Sequence, residues 1–180
     1  MLRSFLSACF LAVLFSSSAL AQKNEVSLTI GGGRLFGESG SVPATAFTVA
    51  YTRSLIGGLA AEGSFGAFFA NNGTPPFRDD FGSLEASAVY HFLPVKKTRT
   101  LIPYVAAGIG KVSTDFTEIP GEKIYKVAGG VKCYFSDEHR WGLRIEVRDE
   151  ITKTDGRQRY PVSGSRLSAV TLRGGFSYRF

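Results

Sequence analysis

The densest set of groups able to do electrostatic work lies in residues 141–152, WGLRIEVRDEIT. Arg144, Glu146, Arg148 and Glu150 recur at every second position with alternating sign. On an extended chain they therefore share one face, and each can pair with a neighbour along the strand or across to the next. Such a row can line a polar path for small ions, or it can fill a closed interior with mutually neutralised charge. Other chemistry has less to stand on. His91 and His139 are the only histidines, and neither has a hydroxyl nucleophile at a matching position, as a Ser–His–acid hydrolase needs. Gly108-Ile109-Gly110-Lys111-Val112-Ser113 departs from a phosphate-binding loop, because Val112 separates the Lys from the hydroxyl residue and no helix follows. Gly31-Gly32-Gly33 falls within a strand pattern and reads as local bending. No enzymatic activity is expected.

The row needs a strand to hold it, and the alternation supplies one. Trp141, Leu143, Ile145, Val147 and, past an interruption at Asp149, Ile151 form an apolar face opposite the charges. The same period of two recurs along the chain, giving eight predicted strands at about 25–34, 44–53, 58–70, 81–92, 101–111, 123–135, 141–152 and 167–180. Val26, Leu28 and Ile30 oppose Ser27 and Thr29 in the first. Tyr125, Val127 and Val131 oppose Lys126 and Lys132 in the sixth. The fifth is less decided, with small or apolar residues on both faces; Val105, Ala107 and Ile109 are read outward. Connections 54–57, 93–100 and 136–140 read as tight. Those at 35–43, 71–80, 112–122 and 153–166 read as longer and rich in Gly, Pro, Asn and charge.

Energy decides which face meets which medium. An Arg or Lys turned to lipid near mid-membrane costs about 2–4 kcal/mol, so the charged face of residues 141–152 alone would cost on the order of 10 kcal/mol. Turned inward, these charges meet Glu62, Glu85, Lys126, Lys132, Arg173 and Arg179 from other strands. Eight strands enclose an interior that side chains can fill. The predicted fold is all-β, an eight-stranded antiparallel up-and-down transmembrane β-barrel over residues 22–180. A soluble lipocalin-like barrel would need the opposite arrangement, apolar faces inward and the Arg–Glu row in water.

The N-terminus reads as a leader over residues 1–21: Arg3 precedes an apolar run from Phe5 to Phe15, and Ala19-Leu20-Ala21 offers a cleavage site before Gln22. Leu6-Ser7-Ala8-Cys9 has the outline of a lipoprotein box, but too little apolar sequence precedes Cys9. Removal of the leader leaves Cys133 as the sole cysteine, so neither an intrachain disulfide nor a cysteine metal site is expected, and no cofactor. The formal charge of +6 falls to about five without Arg3. Those basic residues are dispersed over strands and loops of an exported chain, which argues against a nucleic-acid partner.

The C-terminal run LRGGFSYRF, with alternating Phe176, Tyr178 and Phe180, resembles the assembly signal of Gram-negative outer-membrane proteins. PYVAAGIG (103–110) and AGGVKCYFSDEHRWGLRIEVRD (128–149) resemble the small outer-membrane β-barrels related to OmpA, OmpX and OmpW. The resemblance covers residues 22–180. It implies the bacterial outer membrane as location, the barrel-assembly machinery, the lipid bilayer and lipopolysaccharide as partners, and a monomer. The peptidoglycan-binding domain of OmpA proper has no counterpart here, so no cell-wall tether is expected. Function stays divided between a structural or surface-interaction protein and a narrow passive channel, since this fold hosts both. Lys153, Arg157, Arg159 and Arg166, with one acid among them, form a basic last loop suited to lipopolysaccharide phosphates or sulfated glycans.

Overall fold

The computed structural model describes residues 24–71, 78–92, 101–113, 122–135, 140–153 and 166–180, the side chains at 71 and 78–80 aside. The expected leader, His139, Arg157 and Arg159 lie outside the described residues. Eight strands follow one another: β1 (Asn24–Gly37), β2 (Gly40–Ser54), β3 (Leu59–Asn71), β4 (Arg78–His91), β5 (Leu101–Ser113), β6 (Glu122–Tyr134), β7 (Trp141–Lys153) and β8 (Arg166–Arg179). Each pairs antiparallel with the next, and β8 returns to β1, so the sheet closes without an edge. Reciprocal backbone hydrogen bonds between Asn24 and Phe180, at 3.3 and 2.9 Å, fasten the seam.

The alternation reads inside out relative to a soluble protein. Leu84, Ile109 and Ile30 are 66, 64 and 62% exposed, whereas Arg144 and Arg148 are each 1% exposed. Burial of charge and exposure of apolar area would be doubly unfavourable in water. In lipid it is the favourable arrangement, because closure satisfies the backbone within the sheet and the apolar side chains meet hydrocarbon. The fifth strand follows the same rule: Tyr104 and Ala106 are buried inward, and Val105 and Ile109 are exposed outward. Asp149, the interruption in the apolar face of β7, is half-buried and accepts a hydrogen bond from Ser168 Oγ at 2.6 Å. That bond tempers the cost of an acid on the outer surface.

The connections differ from expectation. The loop read at 35–43 is instead a tight hairpin: the β1–β2 ladder runs out to Gly37 and Gly40, leaving two residues to turn. Positive φ at Gly40 lets the chain re-enter the ladder there. The other strands at this end also reach further than the alternation indicated, so the contrast between short and long connections rests chiefly on 154–165. Ladder hydrogen bonds extend a strand past the point where hydrophobic alternation fades, because they involve the backbone and not the side chains.

The end that carries Asn24 and Phe180, the two termini of the described barrel, has an outward ring of aromatics. Trp141 and Tyr178 lie 4.7 Å apart between ring centroids, Tyr178 stacks on Phe180 at 6.3 Å, and Tyr90 meets Phe92 edge-on at 5.6 Å. Such amphipathic rings suit the boundary between hydrocarbon and water.

Candidate functional site

The interior is built in storeys. Its centre is a circuit of alternating charge contributed by β3, β4, β6 and β7. Lys126 Nζ lies 3.2 Å from Glu62 Oε1 and 3.3 Å from Glu85 Oε2. Glu62 Oε2 receives Arg144 Nη1 at 2.7 Å. Arg144 Nη2 reaches Glu146 Oε2 at 2.6 Å, and Arg148 Nη2 reaches Glu146 Oε1 at 2.7 Å. Arg148 Nη1 lies 3.6 Å from Glu85, which closes the ring. A branch leaves it through Glu150, held 3.2 Å from Arg148 and 2.7 Å from Arg173 on β8. Four acids and four bases thus neutralise one another.

Hydroxyls add further hydrogen bonds to the circuit. Tyr104 donates to Glu146 at 2.7 Å and accepts from Arg144 Nε at 2.7 Å. Arg173 donates to Thr48 and Thr171 at 2.6 and 2.8 Å, Thr52 donates to Glu62 at 3.0 Å, and Ser83 to Glu85 at 2.9 Å. A buried ion pair by itself is weak evidence of stability, because desolvation offsets the attraction; a network in which each ion has several partners recovers more of that cost.

Beneath the ring, toward the chain termini, a second cluster gathers on Glu25. Lys132 Nζ sits 2.8 Å from its Oε1 as an ion pair without hydrogen-bond alignment, and Tyr134 donates to Oε2. Arg179 lies 4.0 Å from Oε2, its guanidinium 3.8 Å from the centroid of Tyr134. Above the ring, at the opposite end, Leu35, Phe68, Phe81, Val112, Ile124 and Leu167 pack inward as an apolar layer. Arg173 lies under it, 5.0 Å from the Phe68 ring centroid.

All ten of the charges read as interior from the alternation, Glu62, Glu85, Lys126, Lys132, Arg144, Glu146, Arg148, Glu150, Arg173 and Arg179, are buried. The structure divides them, with Lys132 and Arg179 in the lower cluster and the other eight in the central circuit. Glu25, Tyr104 and Tyr134 join these charges as partners. Glu25 shares its parity with Ser27 and Thr29, so the alternation of β1 already pointed it inward. The apolar layer is not legible from parity alone: Leu35 and Val112 fall in predicted connections, and Phe68, Phe81, Ile124 and Leu167 share the inward parity of polar neighbours. His91 is buried on the inner wall near the chain termini, its Nδ1 3.1 Å from the Gly58 carbonyl and its ring 6.1 Å from Tyr104. Phe176, Tyr178 and Phe180 face outward on and just after β8. Lys153 and Arg166, read as loop residues, are instead the last rung of the β7–β8 ladder, exposed on the outer face.

Tyr104 reaches the ring because Gly130 lies directly opposite on β6. A Cβ on Gly130 would fall 2.3 Å from the Ile145 carbonyl oxygen and 2.8 Å from the Tyr104 hydroxyl. Gly130→Val is therefore expected to push Tyr104 off Arg144 and Glu146 and to destabilise the barrel by about 1–3 kcal/mol, the usual range for overpacking. Urea titration of refolded protein, followed by the mobility difference between folded and unfolded forms, measures it.

No family model matches this chain, and no curated protein matches it. Solved structures do. Neisserial surface protein A superposes with a TM-score of 0.67 at 16% identity, covering 87% of this chain and 97% of that one. The N-terminal β-barrel domain of Pseudomonas aeruginosa OprF gives 0.53 at 15% identity, with 87% and 98% covered. The outer membrane enzyme PagL gives 0.52 at 13% identity, with 86% and 99% covered. The fold is therefore that of the small eight-stranded outer-membrane barrels.

Proposed function

We propose that this chain is a monomeric integral protein of the bacterial outer membrane, exported by its leader, whose closed lumen conducts nothing. Its role is structural or lies in interactions at the cell surface. The observation that carries this reading is the closed circuit of Lys126, Glu62, Arg144, Glu146, Arg148 and Glu85 across the bore, with an apolar layer above it. An ion passing through would have to part buried pairs and then cross apolar side chains without water. The shared fold and the apolar exterior support the membrane location. The aromatic ring at the end that holds Asn24 and Phe180 supports that end as a membrane boundary, and Phe176, Tyr178 and Phe180 remain the surface offered to the assembly machinery.

That PagL is an enzyme shows only that the fold tolerates catalysis. Against a catalytic role here stands His91, whose described contacts are the Gly58 carbonyl and the Tyr104 ring.

The test is conductance of purified, refolded protein in planar lipid bilayers, with heat-dependent gel mobility verifying the folded barrel. Folded protein without discrete openings is expected. Reproducible openings would overturn the closed lumen and make the Arg144–Glu150 row the selectivity element of a channel.

A further inference from the structure

The outer wall at the end opposite the chain termini carries an arrangement that barrel closure does not require. Lys111 on β5 pairs directly with Lys123 on β6, and Lys153 on β7 pairs directly with Arg166 on β8. Lys123 and Lys153 occupy the position next after the Ile124–Thr152 rung of the β6–β7 ladder. The four cations therefore stand side by side on four consecutive strands, and all four are exposed. Neighbouring strands lie about 4.8 Å apart, so the row spans roughly 14 Å. Like charges directly opposite one another destabilise a sheet. None of the four makes an ion pair with a described carboxylate. Glu122 has inward parity, and Asp149 is taken by Ser168. At β8 the row stops beside the β1–β2 turn, which holds Glu38.

The surroundings say what kind of anion fits. Two rungs nearer the middle of the barrel, Ile109 faces Ala86 on one side and Tyr125 on the other, and Leu84 lies directly opposite Lys111. These residues line a shallow lateral groove that runs down from Lys111 and Lys123. By strand parity the cations stand on the outer wall, next to the exposed apolar residues Leu84, Ile109 and Tyr125. A ligand that meets both must itself lie in the leaflet, with acyl chains along the groove and negative charge at the head-group level.

We infer that this face binds a phosphorylated glycolipid of the outer leaflet, the lipid A part of lipopolysaccharide, with Lys111 and Lys123 taking one phosphate and Lys153 and Arg166 another. The inference rests on the outer-membrane reading above and moves the anion-binding surface from the last loop to the barrel wall. Binding relieves the repulsion within each cation pair, so the ligand stabilises the folded barrel as well as occupying its rim.

The test compares full-length mature protein with a variant carrying Lys111→Gln, Lys123→Gln, Lys153→Gln and Arg166→Gln. Both are refolded into phosphatidylcholine vesicles containing diphosphorylated lipid A, enzymatically dephosphorylated lipid A, or phosphatidylglycerol at matched charge. Heat-dependent mobility reports insertion; thermal unfolding and retention of lipid A through mild-detergent purification report binding. The wild type is expected to gain thermal stability with diphosphorylated lipid A alone. The variant should insert equally well, gain none, and retain lipid A on the order of a thousandfold less. Equal stabilisation of both proteins would overturn the site, as would an equal response of the wild type to phosphatidylglycerol. Stabilisation by soluble sulfated glycan with none from lipid A would overturn it in favour of a solution ligand. Failure of the wild type to insert at all would strike the membrane reading instead. A companion variant with all three lysines changed to arginine should behave as wild type, which separates charge from side-chain identity.

Discussion

Arg144→Ala is expected to destabilise the barrel by about 3–5 kcal/mol, the usual cost of leaving buried charge uncompensated. Arg144 touches more of the interior than any single partner of the circuit replaces. It holds Glu62 and Glu146, donates to the Tyr104 hydroxyl, and reaches Ser27 on β1 at 3.2 Å. Removing it opens the ring between β3 and β7 and leaves the central eight charges with an excess acid in a site 1% exposed. Arg148→Ala is expected to act in the same direction, since it leaves Glu146, Glu150 and Glu85 each short of a cation. Arg144→Lys should recover only part of the loss, because an ammonium cannot present the planar fork that spans two carboxylates. Thermal and urea unfolding in detergent, read by gel mobility, gives the order Arg144→Ala least stable, Arg144→Lys intermediate, wild type most stable. An unfolding midpoint unchanged in Arg144→Ala would mean that water fills the lumen and screens these charges.

Val147→Arg is the second large effect, and it tests the medium around the barrel instead of the interior. Val147 is 54% exposed and sits midway along β7, facing outward between Asp149 and Ile145. In a bilayer an arginine at that depth costs about 2–4 kcal/mol, falling to about 0–1 near the interface. Leu101→Arg, at the first residue of β5 and at the level of the aromatic ring, provides the shallow comparison. The expected result is a marked loss of folding yield and stability for Val147→Arg in phospholipid vesicles, with Leu101→Arg close to wild type. A soluble barrel would show the reverse sense, since a charge in place of an exposed valine improves solubility at little cost in stability. The two substitutions together separate depth from the mere presence of a charge.

These two experiments probe different kinds of information in the chain. Which residues face inward was legible from the sequence. Strand parity is a local property: once Arg144 is inward, Glu146, Arg148 and Glu150 must follow, and Leu143, Ile145 and Val147 must oppose them. The count of eight strands, the all-β class and the inversion of polarity follow from the same alternation and from the cost of charge in lipid. Parity places Glu25 inward as well. The extent of the strands was less legible, because the ladder at Gly37 and Gly40 is held by backbone groups that carry no sequence signal.

Tertiary structure alone decided which charges meet. Alternation states that Lys126 and Glu85 are interior, but the stagger between strands sets them 3.3 Å apart and sends Lys132 to Glu25 instead. That stagger is a property of the closed sheet as a whole, fixed by strand number and tilt together, and no local window of sequence contains it. The same stagger stacks Leu35, Phe68, Phe81 and Val112 into one apolar layer from four strands. It also brings Lys111, Lys123, Lys153 and Arg166, scattered over more than fifty residues of chain, into a single row on the outer wall. The sequence determined the faces, because a strand's two sides are set residue by residue. The register determined the sites, because a site is made where several strands arrive at one height.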